Sequence, residues 1–394
     1  LLDKLKFEIS QLKHIGDPIP ANWKKIRNKM AELEEKDNKV ISLKTYRKIC
    51  AAHKLSNSKD QNMLSGFFHD LGVFLHFHDD DILRKSIFLN KEWILEGAYR
   101  ILDNSVLAKK QGKFTRQDIE NIFTDKYSDY TTEIIAIMRK FYLLYEKEGF
   151  LIAPQMLPYD PPYYDWDSSG NVQFQFQYEL FMPQGILWQF IVEMNDEIKD
   201  ELVWRYGVIL DLGMGGTEAE VIEENETNLI KIRVKGPQKE DIRAVIIRKI
   251  EEINRQFKKL KPKKLVPCVC EQCKNAVQPY MFRYDKLIDA QNKHEPSLQC
   301  HDSYKQAQIS QLLSGIEFLE EQKDRWEHTE EKKLFGNGVE TSSVSATAEK
   351  RIFNKKKWLA IIVGFGALIA WLFNILGGFP AAKVGLEELL KLLK

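Results

Sequence analysis

The sequence predicts an α+β fold: a tandem winged-helix-like unit, a second α+β unit, a small cysteine-containing segment and a single C-terminal transmembrane helix. Three observations predict it. Between Pro20 and about Leu151, helical patterns give way twice to short alternating strands. A Pro- and aromatic-rich stretch from Pro154 to Asp167 then precedes a run of longer strands, and Trp358 to Phe379 carries no charged side chain. A chain of 394 residues exceeds one ordinary domain. Its 44% hydrophobic and 29% charged content suit folded domains, and a net charge of +1 provides no global field to steer nucleic acid or anionic substrates.

The chain opens on Leu1 and runs directly into an amphipathic stretch (Leu1, Leu5, Ile9, Leu12), which reads as a cut made inside a helix. Asn22 caps an expected helix through about Glu35. Helices follow from Leu43 to His53 and from about Gln61 to Leu71. In GVFLHFHDDDILRKSIFL, Val73, Leu75 and Phe77 alternate, Asp79 to Asp81 form a turn, and Ser86 to Leu89 return, so a β-hairpin is expected. Helices followed by a hairpin make a winged-helix unit. A similar order recurs with helices Glu92–Leu102, Gln117–Phe123 and Thr132–Phe141, ending in the short strands LLYEK and GFLIAP.

The proline-rich stretch 154–167 reads as a stiff connector and a domain boundary. Beyond it, NVQFQFQYELFM is a strand and PQGILWQFIVEM a helix. WRYGVIL, EAEVIEE and LIKIRVKG are further strands, and an amphipathic helix from Lys239 to Phe257 closes the unit. The cysteine-containing segment ends in an expected helix from Ile309 to Arg325. Trp326 to Asn354 is polar and reads as a linker.

As a helix, the 22 residues 358–379 span about 33 Å, enough for a hydrocarbon core of about 30 Å. Lys350, Arg351, Lys355, Lys356 and Lys357 precede them, which by the positive-inside rule puts the N-terminal bulk in the cytoplasm. A single-pass membrane protein is the expectation, with the tail 380–394 as an interfacial amphipathic helix. A buried hydrophobic hairpin is the alternative.

Few motifs carry chemistry. GKFT at Gly112 lacks the first glycine of a phosphate-binding loop, so no nucleotide site or other catalytic site is expected here. GMGG at Gly213 to Gly216 lies between two strand patterns and reads as a hairpin turn. His69 with Asp70, and His76 with His78 before the acidic turn, superficially resemble a metal-dependent phosphohydrolase site. On a hairpin, His76 and His78 share the outer face, so solvated wing residues account for them.

Four of the five cysteines, Cys268, Cys270, Cys273 and Cys300, fall in one short stretch, and Cys50 sits alone in a helical pattern. Cys270-x-x-Cys273 has knuckle spacing, and Cys268 and Cys300 complete four ligands for a structural zinc. There is no second CxxC, and His294 or His301 could replace a thiolate. Unbound buried thiols and a redox cysteine are the alternatives. The basic run Lys258 to Leu265 reads as a solvated interdomain hinge; without a basic recognition helix, nucleic acid is not an expected partner.

Segments in a fixed order resemble the COR region that follows the Roc GTPase in bacterial Roco proteins. They are IPANWKKIRNKM, HDLGVFLHF, LNKEWILEGAYRIL, GKFTRQDI, FLIAPQMLP, QYELFMPQGILWQFIV and WRYGVIL, covering roughly Pro20 to Phe257. The resemblance implies that residues 1–17 end a Roc domain whose nucleotide-binding part lies upstream. It implies COR-A over 18–155 and a dimerising COR-B over 160–258, and bacterial members are similar in placing a cysteine-containing segment after COR, here 263–325. The linker 326–357 and the membrane helix are read from polarity and hydropathy, and they stand where animal members of the family carry a kinase domain.

The resemblance further implies GTP and GDP only on the Roc domain, GTP hydrolysis only by a full-length protein, and the chain's own Roc GTPase and a second copy of itself as partners. Tyr178, Glu179, Pro183 and Gly185 match the family's GTPase-contacting interface. For Tyr178 a half-buried strand tyrosine is the competing reading. The two functional expectations are a non-catalytic COR module, coupling Roc to dimerisation and signalling at a membrane through residues 358–379, and a membrane-tethered winged-helix/zinc regulator that binds DNA.

Overall fold

The computed structural model describes residues 19–314, except 167–170, 180, 214, 258–259, 275 and 277. These divide into two compact units, one of residues 19–104 and 119–138, the other of 105–118 and 139–314.

The first unit begins with α1 (Ala21–Glu35), whose cap position is Pro20 and not the expected Asn22, which lies in the first turn and accepts from the adjacent Trp23 amide at 3.0 Å. Strand β1 (Val40–Ser42) leads into α2 (Leu43–Ala52), where the Ser42 hydroxyl accepts from the Thr45 amide at 3.1 Å. Asn57 caps α3 (Ser58–Asp70) in the same way, accepting from the Lys59 amide at 2.9 Å. Strand β2 (Ser86–Phe88) precedes α4 (Lys91–Leu102), whose cap Asn90 accepts from the Trp93 amide at 2.7 Å. The core is Ile26, Met30, Tyr46, Cys50, Leu64, Phe68, Phe74 and Ile87. Cys50 is buried in it as a small apolar side chain.

The expected hairpin at 73–89 is corrected here. Strand β2 pairs antiparallel with β1, Ile41 opposite Ile87, and only Leu75 reaches it from the other side, as an isolated bridge to Phe88. Phe74, Leu75, His76 and Phe77 are buried consecutively. A strand buries alternate residues, so this segment packs as an irregular core loop. Residues 73–89 therefore do not form the wing of a winged helix. The acidic turn serves locally: the Asp80 carboxylate accepts from the amides of Ile82 and Leu83 at 2.9 and 2.8 Å.

The division between the units cuts through helical sequence. Helix α5 (Ser105–Lys109) and β3 (Lys113–Phe114) are followed by α6 (Arg116–Ile122) and α7 (Thr131–Lys140). In the first unit Tyr127 stacks on Trp93 at 4.8 Å and donates to the Trp93 carbonyl at 2.9 Å. In the second, β4 (Tyr145–Lys147) and β5 (Phe150–Ile152) turn at Gly149, φ +81°, and with β3 form a sheet of order β3-β5-β4.

A larger sheet organises the rest of the second unit. Strand β6 (Val172–Gln177) leads through α8 (Ile186–Glu193) to β7 (Ile198–Trp204). The chain then meanders through β8 (Gly207–Asp211), β9 (Glu218–Glu224) and β10 (Leu229–Lys235) back to the side of β6. Helix α9 (Lys239–Arg255) crosses to β11 (Lys263–Pro267) on the opposite side of β6, and β12 (Met281–Arg283) pairs with β11. The seven-stranded order is β12-β11-β6-β10-β9-β8-β7, antiparallel throughout.

The alternation expected of LIKIRVK holds: Ile230, Ile232 and Val234 are buried, with Ile232 opposite Phe174 of β6. They pack with Phe174 and Phe176 against Ile242, Ile246, Ile250 and Ile253 of α9 and Leu187, Phe190 and Ile191 of α8. Burial of this size, at about 25 cal/mol per Å² of apolar surface, is the main force holding the unit. The glycines at 213, 215 and 216 take positive φ between β8 and β9, forming the turn that the sequence suggests.

The connector expected between domains lies along the other face of this sheet. Tyr164 stacks on Trp204 at 5.7 Å and donates to the buried Glu220 at 2.9 Å, which also pairs with Arg233. Lys235 sits 4.5 Å above the Trp166 ring. After β12, α10 (Tyr284–Asn292), the β13 (Ser297–Gln299) and β14 (Gln306–Gln308) hairpin and α11 (Ile309–Leu313) complete the described chain.

The expectation of a C-terminal transmembrane helix and a single-pass membrane location is corrected. No helix among the described residues is long and apolar enough to cross a membrane. The longest, α9, has 17 residues and spans roughly 26 Å, short of a core of about 30 Å, and its exposed face is charged. Residues 358–379 lie outside the described residues.

Candidate metal centre

Strand β11 ends at Pro267 and delivers Cys268, whose amide donates to the Tyr280 carbonyl at 2.7 Å, closing the 268–280 loop above the β11–β12 pair. Within that loop the Lys274 amide donates to the Cys270 carbonyl at 2.9 Å and the Ala276 amide to the Cys273 carbonyl at 3.0 Å. This tight turn points Cys270 and Cys273 the same way. Cys300 arrives separately, after β13: its amide donates to the Lys305 carbonyl at 2.8 Å, and its carbonyl accepts from the Tyr304 amide at 2.9 Å.

The four sulfurs lie within 4.8 Å of one another, and all four residues are buried. Cys273 and Cys300 have Sγ atoms 3.6 Å apart, much too long for a disulfide of about 2.05 Å, and all four thiols are free. A tetrahedral ion with metal–sulfur bonds of about 2.3 Å has sulfur–sulfur edges of about 3.8 Å. The donor set fits such an ion. Neither histidine considered as a substitute ligand joins the set: His294 is exposed and turns to the Gln291 carbonyl, and His301 stacks on Tyr280 at 5.1 Å.

Ser303 was not legible as part of the site, although Cys300-x-x-Ser303 repeats the spacing of Cys270-x-x-Cys273. Its hydroxyl lies 3.1 Å from Cys270 Sγ. The Cys270 amide donates to Cys268 Sγ at 3.4 Å. Burial pushes the Cys268 and Cys273 thiols up. Burial also raises Cys270, but the Ser303 hydroxyl and the backbone at Cys273 outweigh it and bring that thiol down to about 6. Cys300 is likewise held below the ordinary thiol value by Ser303 and the amides at 302 and 303, against the effect of burial.

Among the described residues, the histidines of the first unit form no group of three or more metal-ligating side chains. His76 is buried, not a solvated wing residue: its Nε2–H donates to the Arg84 carbonyl at 3.0 Å, and Nδ1 accepts from the buried Ser65 hydroxyl. Its amide donates to His69 Nδ1 at 3.1 Å. The ring faces the core because the 73–77 segment is not a strand.

Tyr178, Glu179, Pro183 and Gly185 lie just beyond β6. Tyr178 is 2% exposed, and its hydroxyl donates to Asn254 of α9. Burial raises its phenol above the ordinary value. Pro183 and Gly185 are buried, and Gly185 starts α8 at φ +101°, a left-handed backbone that favours glycine. Glu179 is exposed and pairs with Lys263 of β11, which lowers its carboxyl below the usual range. Asn254 had no sequence signal beyond being a polar residue beside the apolar stripe of α9.

Two family models match the chain: "C-terminal of Roc, COR-A domain" over residues 20–157 and "C-terminal of Roc, COR-B domain" over 169–315. The COR-B match includes the four cysteines. A Roc-COR-CHAT protease of Runella zeae is 25% identical over 247 residues, 61% of this chain and 26% of that protein. The probable serine/threonine-protein kinase roco11 of Dictyostelium discoideum is 24% identical over 200 residues, 45% of this chain and 13% of that protein. The chain thus spans about a quarter or less of the curated relatives it matches. A solved structure of Methanosarcina barkeri Roco2 RocCORdC bound to GDP is 31% identical, covers 39% of this chain and 49% of that one, and has a TM-score of 0.35.

Proposed function

This chain belongs to the Roco family, as the COR-A and COR-B region that follows Roc, and on that premise we propose that it is a non-catalytic module coupling a Roc GTPase to dimerisation and signalling. The observation that carries the reading is the tandem order of the two domains over residues 20–315. Nucleotide binding and hydrolysis then belong to the Roc domain, and the protease and kinase activities in the relatives' names belong to other parts of those proteins.

Several features support a scaffolding role for the second unit. Polar groups that its sheet buries serve the fold: Glu220 takes Arg233 and Tyr164, and Arg243 donates to the carbonyls of Gln173 and Ser314. Both edges of the sheet are blunted. Strand β12 has three residues, and β7 bulges between Ile198 and Val203, where Asp200 and Glu201 take positive φ. Short or bulged, charged edges resist strand addition, so a second COR-B docks through a face or loops, not edge to edge. Of the four residues matched to the family's interface, Glu179 is the one exposed to a partner.

The test is the solution mass of the full chain across a concentration series, by sedimentation. A dimer persisting to micromolar dilution is expected. A strict monomer at all concentrations would remove dimerisation from the proposal, and failure of an added Roc domain to bind would remove the coupling. The DNA-binding alternative drew on tandem winged helices, a zinc segment and a membrane tether; the 73–89 segment does not form the hairpin of a wing, and the four-cysteine cluster by itself does not favour DNA over a structural role.

A further inference from the structure

We propose that Cys268, Cys270, Cys273 and Cys300 bind one structural Zn²⁺ that fastens the end of COR-B to its central sheet. The ligands come from two places. Three lie on the loop that follows β11, and β11 is hydrogen-bonded to β6 in the middle of the sheet, Leu265 opposite Gln175. The fourth lies beyond α10, at the end of β13. An ion held by all four joins the β13–β14 hairpin to the sheet through metal–sulfur bonds.

The geometry selects a single ion. Sulfurs within 4.8 Å of one another, with one edge at 3.6 Å, match the edges of one tetrahedron of about 3.8 Å. An iron–sulfur cluster spreads its cysteines over separate iron atoms, with sulfurs further apart than these. Four thiolates in a buried site also suit Zn²⁺ over hard cations, which take oxygen ligands. With all ligands from the protein no position remains for water, so the ion is structural and not catalytic.

Loading releases the thiol protons to solvent and leaves a centre with a formal charge of 2−. The surroundings supply donors for that charge. The Cys270 amide points at Cys268 Sγ, and the Ser303 hydroxyl lies on Cys270 Sγ as a donor once that sulfur is a thiolate. Ser303 therefore stands where a second Cys-x-x-Cys would put a ligand, and orients one instead. Cys268 takes the vacated place in the set.

The experiment uses the full chain, purified without chelator. Elemental analysis is expected to give one zinc per chain. Replacing zinc by Co²⁺ is expected to give thiolate charge transfer and the intense visible bands of a tetrahedral all-sulfur site, both lost when zinc is added back. Ser303→Ala is expected to keep one zinc per chain and weaken its binding by roughly 10- to 100-fold. Cys50→Ser, in the first unit, is expected to leave stoichiometry and spectrum unchanged. Chelation is expected to lower the melting temperature and raise hydrogen exchange in β11 to β14.

A folded chain with neither bound zinc nor a cobalt spectrum would overturn the proposal, as would a Cys273–Cys300 disulfide in the native protein. Stoichiometric iron with a reducible visible spectrum would overturn the zinc assignment. The cobalt titration is done on the unaltered chain, so failure of a cysteine variant to fold cannot obscure the answer. A monomeric chain with one zinc would leave this inference standing while removing dimerisation from the proposed function.

Discussion

The hydroxyl of Tyr178 donates a 3.0 Å hydrogen bond to Oδ1 of Asn254, tying the segment after the central strand β6 to the last turn of α9. Both residues are buried, at 2% and 5% exposure, and the Asn254 amide nitrogen has no partner among the described residues. The hydrogen bond anchors the end of the strand to the helix within this unit.

Tyr178→Phe removes the donor while keeping the ring, leaving the Asn254 oxygen buried and unpaired. We expect a loss of about 1–3 kcal/mol, read as a lower urea midpoint with an unchanged slope. Tyr178→Ala should cost about 3–5 kcal/mol, because it also empties the ring's volume. An altered solution mass in the alanine variant but not in the phenylalanine variant would therefore report damage to the fold.

Glu223 is buried on β9 with one carboxylate oxygen unpartnered, and burial raises its carboxyl from 4.5 to about 7 against the opposing pull of Arg205. An acid whose folded-state value is raised holds its proton more tightly when folded. Its contribution to stability is thus present at low pH and declines as pH rises from about 4.5 to about 7. Glu223→Gln should remove that slope and stabilise the protein above pH 7 by up to about 3 kcal/mol, measured by denaturant titration at several pH values.

His76 should give the opposite slope. Burial, with His78 and Arg47 nearby, depresses its imidazole below the ordinary 6.5. The unfolded chain then takes up a proton more readily, so stability is full above pH 6.5 and falls as pH drops through the depressed value. Thermal melting followed at both pH extremes should show the first unit loosening on acidification. Ser65→Ala, which unpairs His76 Nδ1, should cost about 1–3 kcal/mol at neutral pH.

Gly236, at φ +112° between β10 and α9, has no room for a side chain: an added Cβ would meet the Thr217 Cα at 2.5 Å and its hydroxyl at 2.8 Å. Gly236→Ala should destabilise by at least about 2 kcal/mol. Gly213, also left-handed at φ +67°, opens into free space, and Gly213→Ala should cost only about 1 kcal/mol. Equal melting temperatures for the two variants would contradict this account.

Local periodicity made much of the fold legible. The alternation of β10, the apolar stripe of α9 and the turn glycines at 213–216 are each set by residues a few positions apart. The order of short motifs identified the family, and the spacing of Cys270 and Cys273 pointed to the place of the buried four-cysteine cluster. The sequence by itself thus determined the elements and the family, because both depend on near neighbours along the chain.

Tertiary structure decided the rest. Val73, Leu75 and Phe77 alternate on paper, yet residues 74–77 are buried together because core surrounds them on more than one side. Tyr178, half-buried on the strand reading, is fully buried because α9 supplies Asn254 from 76 positions away. Cys300 met Cys273 because β11 joins the central sheet and the β13–β14 hairpin folds back, leaving His294 and His301 outside the set. Such outcomes turn on which distant segments share one core, and hydrophobic burial, being non-directional, fixes that only through the packing of the whole chain.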